Sequence, residues 1–150
     1  MTLHLSHDLL VQISAHGEAQ YPDEGAGPLL GTLDGDTRRV TTIRPLGNAF
    51  EPDDRYHRCR LEAAGKLAGE LEAERLGLEV VGVFHSHPDH PATASDFDRE
   101  WALPWYSYLI TSILQGRAAE SRSWRLTDDR SQMLEEALDA DQTAPVREAR

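Results

Sequence analysis

Hydrophobic residues along this chain follow two spacings, which predict an alternation of helices and strands. Apolar residues at helical spacing after Ser6, a plausible N-cap, predict a first helix that ends near Gly17. A longer helix is expected from Tyr56 to Leu76, because one face is apolar and Gly77 then stops the pattern. Two shorter helices are predicted at Ser95 to about Ala102 and at Ser131 to Leu138.

Strand patterns occupy the segments between these helices. Val80 to Phe84 is a continuous apolar run, which is typical of a strand buried on both faces. Leu29–Leu33 and Arg39–Ile43 predict a hairpin around Asp34-Gly35-Asp36. Two more strands are expected at Tyr106–Leu114 and Ser121–Leu126. The order of elements indicates an α/β or α+β fold with a mixed β-sheet flanked by helices.

The length and composition fit one globular domain. The chain has 150 residues, of which 39% are hydrophobic and 27% are charged. A chain of this length can enclose a single hydrophobic core. We expect a single domain over residues 1–140, followed by a flexible tail at residues 141–150.

Charge and cysteine content exclude several classes of protein. With 26 acidic and 15 basic residues the net charge is −11, and an acidic surface repels phosphate backbones, so we expect no nucleic-acid partner. The single cysteine, Cys59, allows neither an intramolecular disulfide nor a Cys-rich zinc site. Met1–Leu10 lacks a basic start before an apolar block, and no apolar run approaches the roughly 20 residues that span a bilayer. We therefore expect a cytoplasmic protein with no membrane association; its oligomeric state stays open.

Two histidines lie where the buried strand runs out into a loop. Because side chains alternate along a strand, His85 and His87 point to the same side, and two adjacent imidazoles can chelate Zn²⁺. Asp98 follows in the first turn of the next predicted helix and would complete a site with three ligands. The fourth position would hold water, as in catalytic zinc sites, so the pattern predicts one zinc ion per chain.

The spacing of these residues resembles the metal motif of the JAMM (MPN-plus) metalloproteases. It runs His85-x-His87-Pro88, then six residues, then Ser95-x-x-Asp98. The upstream segment Pro22–Gly31 resembles the family's glutamate-bearing segment, and the element order is similar from roughly Leu3 to Leu126. The resemblance, closest to the compact prokaryotic branch, implies a JAMM/MPN-like sandwich of the cytidine-deaminase-like kind.

The resemblance also implies roles for five side chains. His85, His87 and Asp98 would bind zinc, Glu24 would act as general base on the zinc-activated water and protonate the leaving amine, and Ser95 would stabilise the oxyanion. By the same resemblance the protein would be a zinc metalloprotease, a deubiquitinase-like peptidase or isopeptidase. Its substrate would be a ubiquitin-like or sulfur-carrier protein, cut after a C-terminal Gly-Gly.

Three alternatives stay open at this point. Asp23 could replace Glu24 if the correspondence is shifted by one residue. Ser95 could serve only to start its helix, because Ser-x-x-Asp is close to a capping box. The whole domain could also be a non-catalytic MPN-type scaffold or interaction domain, or a metal-binding module without hydrolytic activity.

Overall fold

The structure, a computed structural model, describes residues 1–46 and 67–141. In this part of the chain the strands are β1 Thr2–Ser6, β2 Ala26–Asp34, β3 Thr37–Ile43, β4 Glu79–Pro88, β5 Ser107–Leu114, β6 Arg117–Leu126 and β7 Met133–Asp141. The helices are α1 His7–Gln20, α2 at residues 67–76 and α3 Asp96–Trp101. The first part of the helix expected from Tyr56, and residues 142–150 of the expected tail, lie outside the described residues.

The strands form one mixed sheet in the order β1-β3-β2-β4-β5-β6-β7, which closes because β7 pairs with β1. The pairs β1–β3, β1–β7 and β4–β5 are parallel and the others are antiparallel. Helix α1 packs against β5 and β6. The α/β class with a mixed sheet and flanking helices is therefore confirmed. None of the helices in the described ranges combines the length and apolar character needed to cross a membrane.

Strand β4 contacts two separate apolar clusters and has a bulge opposite β2. The pairing with β2 shifts between Leu29 and Leu30, so that Val81 has no direct partner there. Val81 and Phe84 then face a cluster that also contains Ile13 of α1. Val80 and Val83 pack against the second cluster, which is built from Ala102, Tyr106, Tyr108 and Leu126. The central strand is thus covered on both faces, as its continuous apolar run predicts.

Most predicted elements are confirmed, with differences at their ends. The hairpin of β2 and β3 is present, and β2 begins earlier, at Ala26. Strand β4 continues through Pro88, so both histidines lie within the strand and not beyond its end. Strand β1 was not predicted; it has five residues, and its Leu3 and Leu5 are fully buried.

The predicted helix at Ser131–Leu138 is wrong, because strand β7 begins at Met133 and includes the rest of this segment. Glu136 of this strand is buried, accepts a hydrogen bond from Ser123 Oγ at 2.7 Å, and lies 2.8 Å from Arg125 Nε. These partners and the pairing of β7 with β6 and β1 are distant in sequence. Such contacts outweigh the local helix preference of Leu, Glu and Ala.

Two leucines of β2 provide a matched test of this core. Leu29 is fully buried in the first cluster, whereas Leu33 is 53% exposed. We expect Leu29→Ala to lower the free energy of unfolding by about 2–5 kcal/mol, because it leaves a cavity. Leu33→Ala should change it by no more than about 0.5 kcal/mol. Urea unfolding followed by tryptophan fluorescence measures both values, and equal losses would contradict the placement of β2.

Candidate metal centre

Strand β4 presents its two histidines on one face of the sheet, because a single residue separates them in an extended backbone. Both side chains are largely enclosed, with 7% of the His85 side chain and 11% of the His87 side chain exposed. Their ring centroids are 5.2 Å apart. The strand alone therefore brings two nitrogen donors to one point below the surface.

Helix α3 supplies a carboxylate to the same point through its N-terminal cap. Ser95 Oγ accepts a hydrogen bond from the Asp98 amide at 3.0 Å, and Asp98 Oδ2 accepts one from the Ser95 amide at 2.9 Å. This reciprocal capping box satisfies two backbone donors at the start of the helix and fixes the Asp98 side chain, which is 1% exposed. The capping role considered for Ser95 is thus present.

The three side chains predicted as ligands meet at this cap. Asp98 Oδ1 lies 3.2 Å from His85 Nε2, and Asp98 Oδ2 lies 3.1 Å from His87 Nε2. One ligand atom from each residue lies within 4.8 Å of the other two. The arrangement comes from two elements, β4 and α3, that converge although a loop separates them.

A backbone carbonyl determines which nitrogen of the neutral His87 ring has a free lone pair for a cation. His87 Nδ1 lies 2.8 Å from the Pro91 carbonyl oxygen, which can only accept, so Nδ1 carries the proton. In the neutral ring Nε2 then presents its lone pair to the cluster, as in metal-binding histidines. Burial lowers the pKa of His87, but the hydrogen bond and charge of Asp98, with help from Pro91 and the charge of Glu24, raise it overall. The site therefore favours positive charge.

The geometry and chemistry of this donor set fit a zinc ion. His85 Nε2 is buried and makes no hydrogen bond to any described residue, although Asp98 Oδ1 is only 3.2 Å away. Ligand atoms bound tetrahedrally to zinc at about 2.0–2.1 Å are about 3.3 Å apart, which is close to the distances from Asp98 to each of the two histidines. Two imidazoles and one carboxylate leave one of four coordination positions for water or substrate.

The loop after the histidines is fastened by Asp89, a residue that the sequence analysis did not single out. Its carboxylate accepts hydrogen bonds from the Tyr21 hydroxyl at 2.6 Å and the Gln115 amide at 2.8 Å. The hydrogen bonds from the Tyr21 hydroxyl and the Gln115 amide lower the pKa of Asp89. The hydrogen bond between Tyr21 and Asp89 also raises the pKa of Tyr21. Asp89 also has a φ of 60°, which aspartate tolerates better than most residues. An Asp directly after His-Pro was the available signal for a tight turn.

A cavity of about 340 Å³ opens beside the cluster. It is lined by Glu24, His87, Pro88, His90, Pro91, Thr93 and Ser95. The two residues predicted as base and oxyanion donor thus share one cavity with a predicted ligand, and Asp23 is not among the described residues that line it. Ser95 is exposed there, and its hydroxyl can donate its own hydrogen while it accepts from Asp98, so the cap and donor roles are compatible.

Comparisons with known proteins place these features in a family context. Residues 6–127 match the family described as prokaryotic homologs of the JAB domain. Over 93 residues the chain is 40% identical to a Haloferax volcanii protein named desampylase, which covers 61% of this chain and 63% of that protein. The aligned part is therefore less than two thirds of the relative's length.

Solved structures give a similar picture over nearly the whole chain. A solution structure of a Salinibacter ruber protein has 34% identity and a TM-score of 0.71, and covers 95% of this chain and 93% of its own. One from Desulfitobacterium hafniense has 27% identity and a TM-score of 0.72, with 99% of both chains covered. A JAB1/MPN domain protein from Archaeoglobus fulgidus, 16% identical with a TM-score of 0.53 over 93% of this chain and 99% of its own, is similar in fold alone.

If His85, His87 and Asp98 bind zinc, the affinity for zinc should depend on the negative charge of Asp98. The amide oxygen of Asp98→Asn can still accept from the Ser95 amide, so the helix cap survives while the negative charge is lost. We expect one zinc ion per wild-type chain and an affinity at least about 100-fold weaker in Asp98→Asn. Loss of a residue that only hydrogen-bonds to a metal ligand already weakens metal affinity by about 10- to 100-fold.

Competition with a chromophoric chelator measures this affinity. His90→Ala is the matched control, because His90 lines the cavity but lies outside the three-residue cluster. Its affinity should stay within a few-fold of wild type. Zinc binding of wild-type strength in Asp98→Asn would contradict the assignment.

Proposed function

The chain belongs to the family of prokaryotic JAB-domain proteins, and we propose that it is a zinc-dependent metallopeptidase of the JAMM type. The observation that carries the proposal is the convergence of His85, His87 and Asp98 beside a cavity that a second carboxylate, Glu24, lines. The three form the ligand set of the proposal, and the reaction is hydrolysis of a peptide or isopeptide bond.

The side chains around the cavity divide the chemistry among them. Zinc held by the cluster would supply Lewis acidity, which polarises a carbonyl and lowers the pKa of water to about 7. Glu24 takes a proton from the attacking water while the oxygen of that water bonds to the carbonyl carbon of the substrate. The carbon–nitrogen bond then breaks, and Glu24 delivers that proton to the leaving amine. Ser95 donates a hydrogen bond to the substrate's carbonyl oxygen, which becomes negatively charged in the transition state. Such a contact typically stabilises the transition state by about 3–4 kcal/mol.

We infer that the substrate is a ubiquitin-like or sulfur-carrier protein that presents a C-terminal Gly-Gly. The Haloferax volcanii relative supports this inference, because its name, desampylase, is the name of an enzyme that removes a group. Pro88, the last residue of β4, and Pro91 line one side of the cavity, and their rings restrict the backbone there. An extended tail would therefore meet a rigid wall on that side.

A defined cleavage assay tests the proposal. Fusions in which a Gly-Gly-tailed carrier is joined to a reporter should be cut after the second glycine by the zinc-loaded protein. A chelator should abolish cleavage, and added zinc should restore it, because the reaction needs the bound cation. Mass spectrometry of the products locates the cut, and a tail changed to Ala-Ala is the control. Absence of cleavage by protein that has one zinc bound would favour a metal-binding module, and absence of zinc binding would favour the scaffold.

The role of Glu24 is tested by removing its charge and keeping its size. Glu24→Gln should lower kcat by about 100- to 10,000-fold, because the amide cannot accept the proton, while zinc binding stays unchanged. The neighbouring change Asp23→Asn, of the same chemical kind, should leave kcat near the wild-type value. If Glu24→Gln keeps full activity, or if Asp23→Asn is the variant that loses it, the base has been assigned to the wrong residue.

A further inference from the structure

Ser86, the residue between the two histidines, faces away from the metal cluster. It is buried with 3% exposed, and the alternation along β4 directs it to the face opposite to His85 and His87. On that side it meets α1 at Gly17, where an added Cβ would lie only 3.2 Å from Ser86 Cβ. The side chain is therefore enclosed and takes no part in the ligand set.

The side chain and the backbone amide of Ser86 both form hydrogen bonds with one residue, Gly25. Its Oγ accepts a hydrogen bond from the Gly25 amide at 2.8 Å, and its own amide donates to the Gly25 carbonyl at 2.9 Å. Regular pairing of β2 with β4 begins one residue later, at Ala26 and His85. The Ser86 side chain thus extends the attachment of this segment to β4 up to the residue that follows Glu24.

Gly25 is confined from a second direction by α1. A Cβ added at Gly25 would lie 2.8 Å from Cδ2 of His16, so the backbone passes directly over that imidazole. His16 in turn packs edge-on against Phe84 of β4, with ring centroids 6.0 Å apart. The backbone next to Glu24 therefore cannot move toward α1 without a clash with His16, or away from β4 without breaking a hydrogen bond.

We propose that Ser86 is a positioning residue that holds the Glu24 backbone in place beside the metal cluster. The inference rests on the proposed function, because Glu24 must reach the water and the leaving amine. A single strand then fixes both halves of the site, with ligands on one face and the attachment of the base on the other. Displacement of a reacting group by about 1 Å can cost 100-fold in rate, so this attachment has kinetic consequences.

Ser86→Ala tests the proposal by removing the acceptor for the Gly25 amide. We expect kcat to fall about 10- to 100-fold, with KM and zinc affinity near the wild-type values. Amide hydrogen exchange at Gly25, observed by NMR, should become much faster, because a buried N–H that loses its partner opens to solvent. Ser121→Ala is the matched control, since it also removes a hydroxyl hydrogen bond, to Thr111 at 2.7 Å, but does so away from Glu24. It should leave kcat and Gly25 exchange unchanged.

A double-mutant cycle with Glu24→Gln separates positioning from general loss of structure. If Ser86 acts through Glu24, adding Ser86→Ala to Glu24→Gln should lower the residual rate by less than about twofold. An additive loss, a loss of zinc binding, or unchanged Gly25 exchange would each overturn the proposal. Should Ser86→Ala fail to fold, Ser86→Cys keeps a side chain of similar shape whose sulfur is a weaker hydrogen-bond acceptor. The same rates and the same Gly25 exchange are then compared in that variant. Lack of activity in zinc-loaded wild-type protein would refute the proposed function instead, and Gly25 exchange would then decide the contact alone.

Discussion

Asp98 is a buried carboxylate whose two oxygen atoms each face an imidazole nitrogen at 3.1–3.2 Å. A charge removed from water costs several kcal/mol unless partners compensate it, and here these partners come from separate elements. The Ser95 amide belongs to the start of α3, and the two histidines belong to β4. The loop between β4 and α3 must therefore return to the strand that it leaves. The contacts of Asp89 with Tyr21 and Gln115 hold that return in place.

The register of β4 matters as much as its residues. A slip of one position would exchange the faces, so that Ser86 would point at the cluster and the histidines would point at α1. Parallel pairing with β5 from Gly82 to Pro88 opposes such a slip. Gly82 contributes because an added Cβ would lie 2.2 Å from the Ser107 carbonyl oxygen, so only glycine allows the two strands to approach this closely. The bulge at Val81 sets the phase of the strand before it reaches the histidines.

Features that depend on neighbouring residues were predictable from the sequence, and those that depend on distant contacts were not. The alternation that places His85 beside His87 and the Ser95–Asp98 cap are local patterns, and the structure contains both. Strand β7 was mistaken for a helix because its buried Glu136 depends on Ser123 and Arg125. The approach of Glu24 to the cluster is also non-local. Nothing within its turn indicates that Ser86 will bind the next residue, Gly25, so only the family resemblance pointed to Glu24.

The energetics of the cluster bear on whether this fold acts as a scaffold or as an enzyme. With Nδ1 of His87 directed to Pro91, the neutral ring presents a lone pair to a carboxylate oxygen, and this contact is favourable only with a proton or a metal cation between them. Apolar side chains of similar volume would stabilise a pure scaffold at least as well, because buried ionic groups are often neutral or destabilising relative to them. The cluster also adjoins a cavity that contains an additional carboxylate, that of Glu24. The buried histidines and Asp98, the raised pKa of His87 and the nearby carboxylate of Glu24 are the features expected of the proposed enzyme, in which a cation would be held next to substrate.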